Sequence, residues 1–275
     1  MPALETLRNG NLDGAFRELQ QEVRQKPADD KLRTFLFQLL SVQGQWDRAL
    51  TQLNTAAELD AANLIMAQMY REALQCEVLR ADVFAGKRSP LIFGDPPQWI
   101  GWLIEALRLS SQGQHDAAQQ LRVKAFEAAP TTSGSIDGQR FEWLADADTR
   151  LGPVIEAMIA GRYFWIPIEN IRQIKIEAPT DLRDMVWLPV HFVWSNEGET
   201  VGLIPTRYPG SESSPDNQIR LSRKTEWAVP AEGASQGLGQ RMLATNETDY
   251  SLLDVRQIDF ETSAAIEATP QAARE

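Results

Sequence analysis

Apolar positions recur at helical spacing through roughly the first 130 residues, and then the period shortens. Phe16, Leu19 and Val23, and again Ala49, Leu50, Leu53 and Ala57, fall three and four residues apart, which lines one face of an α-helix. After the polar joint APTTSGSIDGQ the pattern changes. The runs YFWIPI, IRQIKI, MVWLPVHFVW, ETVGLIPTRY, QIRLSRKTEWAV, QRMLAT and LLDVRQIDF are rich in aromatic and β-branched residues and read as strands. Alternation is clean in Val186, Leu188, Val190, Phe192 and Trp194, and imperfect in Ile171, Ile174 and Ile176. SNEGE reads as a hairpin connection, and RYPGSESSPDNQ as a longer loop. The stretch RFEWLADADTRLGPVIEAMIAG reads as a short apolar start, a turn, and a helix over 151–160.

The helical part contains a spaced repeat. GNLDGAFRELQQEVRQKP from Gly10, GQWDRALTQLNTAAELDA from Gly44 and GQHDAAQQLRVKAFEAAP from Gly113 align without gaps, at spacings of 34 and 69 residues. Each has Asp three residues after the glycine (Asp13, Asp47, Asp116) and Ala five after it (Ala15, Ala49, Ala118); Pro27 and Pro130 follow at seventeen. Glycine ends one helix where φ is positive, and Asp is expected to cap the next. Alanine lets the pair approach closely, and proline stops the second helix. A 34-residue period of helix pairs is the tetratricopeptide pattern; a generic bundle of helical hairpins is the alternative. Between residues 64 and 112 the pattern departs, with a longer helix and the loop GKRSPLIFGDPPQW in place of one copy. The fold class is α+β: a TPR-like helical repeat region over 1–132, then a mainly antiparallel β-sheet domain with a packed helix over 133–262. Residues 263–275 read as a flexible C-terminal tail.

Composition narrows the partners. The 275 residues are 43% apolar with net charge −11, which is globular and argues against nucleic acid. The acidity is uneven: residues 1–130 hold 14 Lys+Arg against 16 Asp+Glu, and the remainder 13 against 22. Cys76 is the single cysteine, so no internal disulfide forms, and a buried thiol is the default. No apolar run is long enough to span a membrane and the first residues carry no secretion signal; the reading is a soluble, cytoplasmic protein.

Candidate chemistry is sparse, and no catalytic group, cofactor or metal is assigned. The histidines are His115, in a repeat turn, and His191, inside a strand run. His191 and Ser195 lie about 13 Å apart along a strand, too far for a dyad. Asp146 and Asp148 in DADTR could hold a divalent cation, or else cap a helix and form an internal pair with Arg150, which is preferred. Asp181, Arg183 and Asp184 in TDLRDMVW admit the same two readings, with a buried arginine clamp at a turn preferred. GLGQR at 237–241 reads as a turn into a strand.

WLADADTRLGPVIEAMIAGRYFWIP, LRDMVWLPV, LIPTRYPGS, LSRKTEW, GLGQRML and LLDVRQIDF, in that order, together resemble the ImpE/SciE family, also called TagJ. The resemblance implies a cytoplasmic accessory adaptor of bacterial type VI secretion. Its partners would be the N-terminal segment of the small contractile-sheath subunit and the AAA+ ATPase that recycles sheath; no enzymatic activity or cofactor is implied. Such a segment would lay an amphipathic helix into an apolar groove of either half. Trp46, Trp99 and Trp102 in the first half, and Arg207 and Tyr208 in the second, are the candidate contacts. The competing reading is a hydrolase or nucleotide-dependent enzyme using Asp146, Asp148, Arg150 and His191, which requires those side chains to converge on one open pocket.

Overall fold

A computed structural model describes residues 2–261. The C-terminal tail expected over 263–275 lies outside the described residues.

Three helix pairs form the first half: α1 (Pro2–Arg8) with α2 (Leu12–Gln25), α3 (Asp30–Val42) with α4 (Trp46–Leu59), and α6 (Gln98–Ser111) with α7 (His115–Ala128). Gly10, Gly44 and Gly113 sit between the partners at φ of +79°, +67° and +77°, a conformation only glycine adopts without strain. The amide of Gln45 reaches back to the Leu40 carbonyl at 2.9 Å, closing the helix end. Ala15, Ala49 and Ala118 are fully buried where the helices touch. The aspartates differ from expectation. Asn11, Gln45 and Gln114 hold the cap positions, and Asp13, Asp47 and Asp116 lie in the first helical turn, where their charge favours the positive end of the helix dipole. The departing copy is α5 (Leu64–Phe84), a 21-residue helix with no second helix of its own. Residues 85–97 form a loop that includes the two-residue strand β1 (Leu91–Ile92).

The second half is built from short strands: β2 (Gly134–Ile136), β3 (Gln139–Phe141), β4 (Leu144–Asp146), β5 (Val154–Ile159), β6 (Arg162–Pro167), β7 (Ile171–Ile176), β8 (Trp187–Trp194) and β9 (Glu199–Pro205). There follow a one-turn helix α8 (Asn217–Arg220) and strands β10 (Thr225–Ala228), β11 (Gln236–Gly239), β12 (Met242–Thr245), β13 (Asp249–Ser251) and β14 (Gln257–Phe260). Nine strands make one sheet in the order β1-β6-β5-β9-β8-β7-β14-β2-β3, antiparallel apart from the β1–β6 pair. β13-β12-β4 and β10-β11 are small antiparallel sheets.

Two expectations are corrected. Where a helix is expected over 151–160, residues 154–159 form strand β5; all six are buried, so no alternation marks it. QIRLSRKTEWAV is a strand only from Thr225. Asp216 caps α8 through the Gln218 amide at 2.8 Å, and Ser222 turns the chain at φ +55°. The imperfect alternation of Ile171 and Ile174 has a cause: the β7–β8 register shifts between Ile171 and Gln173, a bulge.

The helix packed on the sheet is α5, which lies against β6. One apolar cluster joins both halves, with Phe37, Tyr70, Leu74 and Val83 from helices meeting Val154, Met158, Trp165, Trp187 and Leu203 from strands. Trp187 packs between Trp46 and Tyr70 in tilted pairs, with ring centroids 6.1 and 5.7 Å away. The opposite face of the large sheet closes on the small sheet, with Ile174, Leu188, Phe192 and Ile258 packed against Leu144, Leu243 and Leu252.

Candidate functional site

The largest polar constellation lies at the junction of helices and sheet. Glu156 on β5 is fully buried and accepts hydrogen bonds from Arg80 of α5 (Nε 2.7 Å, Nη2 3.0 Å), from the Tyr163 hydroxyl and from Arg241. Arg241 also reaches Asp146 and donates from Nε to the Pro205 carbonyl at 3.0 Å. Asp146 accepts in addition from the Tyr208 hydroxyl and the Asp148 amide, both at 2.9 Å. Asp148 is held by Arg150 and by the amides of Arg150 and Gly237.

Burial drives these groups apart in acidity. It raises Asp146 to about 6, against the opposing pull of Arg241. It pushes Glu156 upward as well, but Arg80 and Arg241 override it and hold that carboxyl down at about 2. Glu77, one turn before Arg80, is raised by burial and accepts from the Trp187 indole at 2.9 Å. Arg207 donates to the carbonyls of Ser41 and Val42 at the end of α3 and to that of Arg220. Burial lowers it to about 10. These bonds tie LADADTR, TRYPG and GLGQRM to α3 and α5.

DADTR does not precede a helix, so Asp146 and Asp148 cap none. Asp148 pairs with Arg150 at 2.5 Å, and Asp146 pairs with Arg241. Among the described residues no group of three His, Cys, Asp or Glu side chains is placed to hold a metal ion. In TDLRD the arginine is not the clamp. The Asp184 carboxylate accepts the amides of Thr180 (2.7 Å) and Asp181 (2.8 Å), while Arg183 pairs with Asp181 and lies over the Tyr70 ring. The clamp onto carbonyls is Arg207. His191 is half-buried on β8, 3.1 Å from Glu199, and shares no pocket with Asp146, Asp148 or Arg150. The four residues of the hydrolase reading therefore do not converge.

The candidate partner contacts divide. Trp99, Arg207 and Tyr208 are buried, beyond the reach of a partner in this conformation. Trp46 is half-buried and borders a polar cleft with Arg80, Phe84, Arg150 and Glu212; Trp102 is half-buried under Lys124, whose Nζ lies 3.9 Å from its ring centre. Sequence reasoning missed Glu156, Arg80 and Arg241. A lone Glu inside the apolar run VIEAMI was the available signal, because a charge there must be paired.

Two of the surface hollows are edged by apolar side chains. Phe126, Pro130, Trp143 and Pro153 edge a cavity of about 410 Å³ beside α7. A second trough of about 270 Å³ runs between α5 and the β5–β9 part of the sheet, walled by Ile65, Met69, Met158, Val201 and Leu203.

Helix pairs fused through a common core to a mostly antiparallel sheet, braced by an internally satisfied charge network, define the structural class. A family model described as ImpE protein matches residues 138–259. The type VI secretion system accessory component TagJ of Pseudomonas aeruginosa is 49% identical over 265 residues, covering 96% of this chain and 93% of that protein. The X-ray structure of protein VPA1032 from Vibrio parahaemolyticus superposes with TM-score 0.87 at 25% identity, over 97% of this chain and 100% of that one. The chain belongs to the ImpE (TagJ) family.

Proposed function

We propose that this chain is a non-enzymatic adaptor of a type VI secretion system, working in the cytoplasm. In this reading it binds the N-terminal segment of the small contractile-sheath subunit and modulates sheath disassembly by the AAA+ recycling ATPase. The observation that carries it is the 49% identity to an accessory component of that system along nearly the whole of both chains. Two features support it. The charged motifs are engaged inside the molecule, and apolar side chains on α5, β9 and Trp143 are left uncovered.

Titration of a fluorescein-labelled peptide of that sheath segment with the full chain tests the binding. Saturable binding with Kd of about 1–10 μM is expected for a short helix in a groove. No saturation up to about 1 mM contradicts the reading. The ATPase arm is tested separately, by the rate of sheath disassembly with and without the chain; an unchanged rate removes that part alone.

A further inference from the structure

Strand β14 runs toward the cavity beside α7. It pairs antiparallel with β2 in the register Ile258↔Ile136, Asp259↔Ser135 and Phe260↔Gly134. The Glu261 amide then donates to the Ser133 carbonyl at 2.9 Å, so the ladder continues one residue past the strand. Extended by the same register, positions 262, 263 and 264 come opposite Thr132, Thr131 and Pro130. Those three residues edge the cavity of about 410 Å³, together with Phe126, Ala129 and Trp143.

The receiving edge suits a strand. Ala129 is already extended, at φ −72° and ψ 137°. Among the described residues the Thr131 amide and carbonyl have no hydrogen-bond partner, which is the condition of an open strand edge. Amide-to-carbonyl bonds join Asp137 to Gln257 and Glu261 to Ser133, so the next bonded position is 263 on Thr131. Position 264 then faces Pro130 as a non-bonded pair, where the missing N–H of proline removes no bond.

Side-chain parity fits as well. Ile258 and Phe260 point into the cluster that holds Leu144 and Leu243, and Phe260 packs edge-on against Phe141. Positions 262, 264 and 266 fall on that same side of an extended chain, and the sequence TSAAIEATPQAARE puts Ala264 and Ile266 there. The step from Phe260 to Ile266 spans about 20 Å when extended, which reaches Ala129 and Phe126.

We propose that the cavity beside Trp143 is the docking site of the chain's own C-terminal segment. Residues 262–264 lengthen β14 against residues 130–132, and Ile266 fills the apolar hollow. Trp143, which the described residues leave 40% exposed, is thereby withdrawn from any partner.

The test uses the full chain with one engineered cysteine pair. Pro130→Cys with Ala264→Cys sets two thiols at a non-bonded cross-strand pair, where Cα atoms stand about 4.5 Å apart, within disulfide reach. Pro130→Cys with Ala265→Cys is the control, one residue out of register, and the buried Cys76 is common to both. Under mild oxidation the first pair is expected to close at least about tenfold faster than the control, through its higher effective concentration. Equal rates overturn the proposal. In the chain without added cysteines, Ile266→Asp should speed hydrogen exchange at the Thr131 amide, because a charge in the apolar hollow undocks the segment. A Thr131 exchange rate equal to that of the parent chain overturns the seating of Ile266, and the proposal with it.

Discussion

Glu156 carries its charge at the centre of the molecule, on a strand whose other side chains are all apolar. Two guanidiniums and a phenol surround it, and removing the carboxylate leaves Arg80 and Arg241 without it. Breaking a buried pair in this way costs about 3–5 kcal/mol. Glu156→Gln should therefore lower the free energy of unfolding in urea by that amount, while a loss below about 1 kcal/mol would show the network to be dispensable. Asp146 gives a pH signature of opposite sign. Its carboxyl is raised to about 6 in the folded chain, so between about 4 and 6 the folded form binds a proton that the unfolded form has released. Its contribution to stability is full below about 4 and is lost as pH rises through 6. Glu156, held at about 2, contributes fully above its ordinary value near 4.3 and loses that only on strong acidification. Between about pH 4 and 6, then, Asp146 supplies a falling slope that Asp146→Asn should remove. Parallel stability curves for the two proteins would contradict the assignment.

At the scale of elements, β11 shows how close the packing is. A Cβ on Gly237 would lie 2.2 Å from the Tyr208 ring, and that ring is fully buried with its hydroxyl on Asp146. Gly237→Ala must displace the ring or the strand, at a cost of about 1–3 kcal/mol in unfolding free energy. Loss of the protection of the Asp148 amide from hydrogen exchange would accompany it, because Asp146 would move as well. The repeat glycines, the buried alanines and strand β8 could be read from spacing, because each mark answers to a single physical need. β5 could not. Glu, Ala and Met favour helix as isolated residues, and burial on both faces erased the alternation that identifies a strand. Of the short polar motif DADTR, the Asp148–Arg150 pair was legible and the partner of Asp146 was not. Asp146 and Arg150 are near in sequence, but the partner of Asp146 is Arg241, 95 residues on. No spacing rule connects them.

For the whole molecule, the shared core has a thermodynamic consequence. Trp187 contributes its ring to the helical half and its strand to the sheet, so Trp187→Ala should destabilise both together by about 3–5 kcal/mol. Far-ultraviolet circular dichroism, reporting helices, and hydrogen exchange of the β5 and β8 amides, reporting the sheet, are expected to follow one transition before and after the change. Two separated transitions would mean that the helices and the sheet unfold independently. The order of helices followed by strands was legible in the periodicity. The exposure of Ile65 and Val201 was not, because it depends on α5 lacking a paired helix, a tertiary fact.

The adaptor account is tested most directly by hydrogen exchange on the full chain with and without the sheath peptide. Protection should rise over one contiguous part of the surface, with the rest of the chain little changed. An unchanged map at saturating peptide would contradict it.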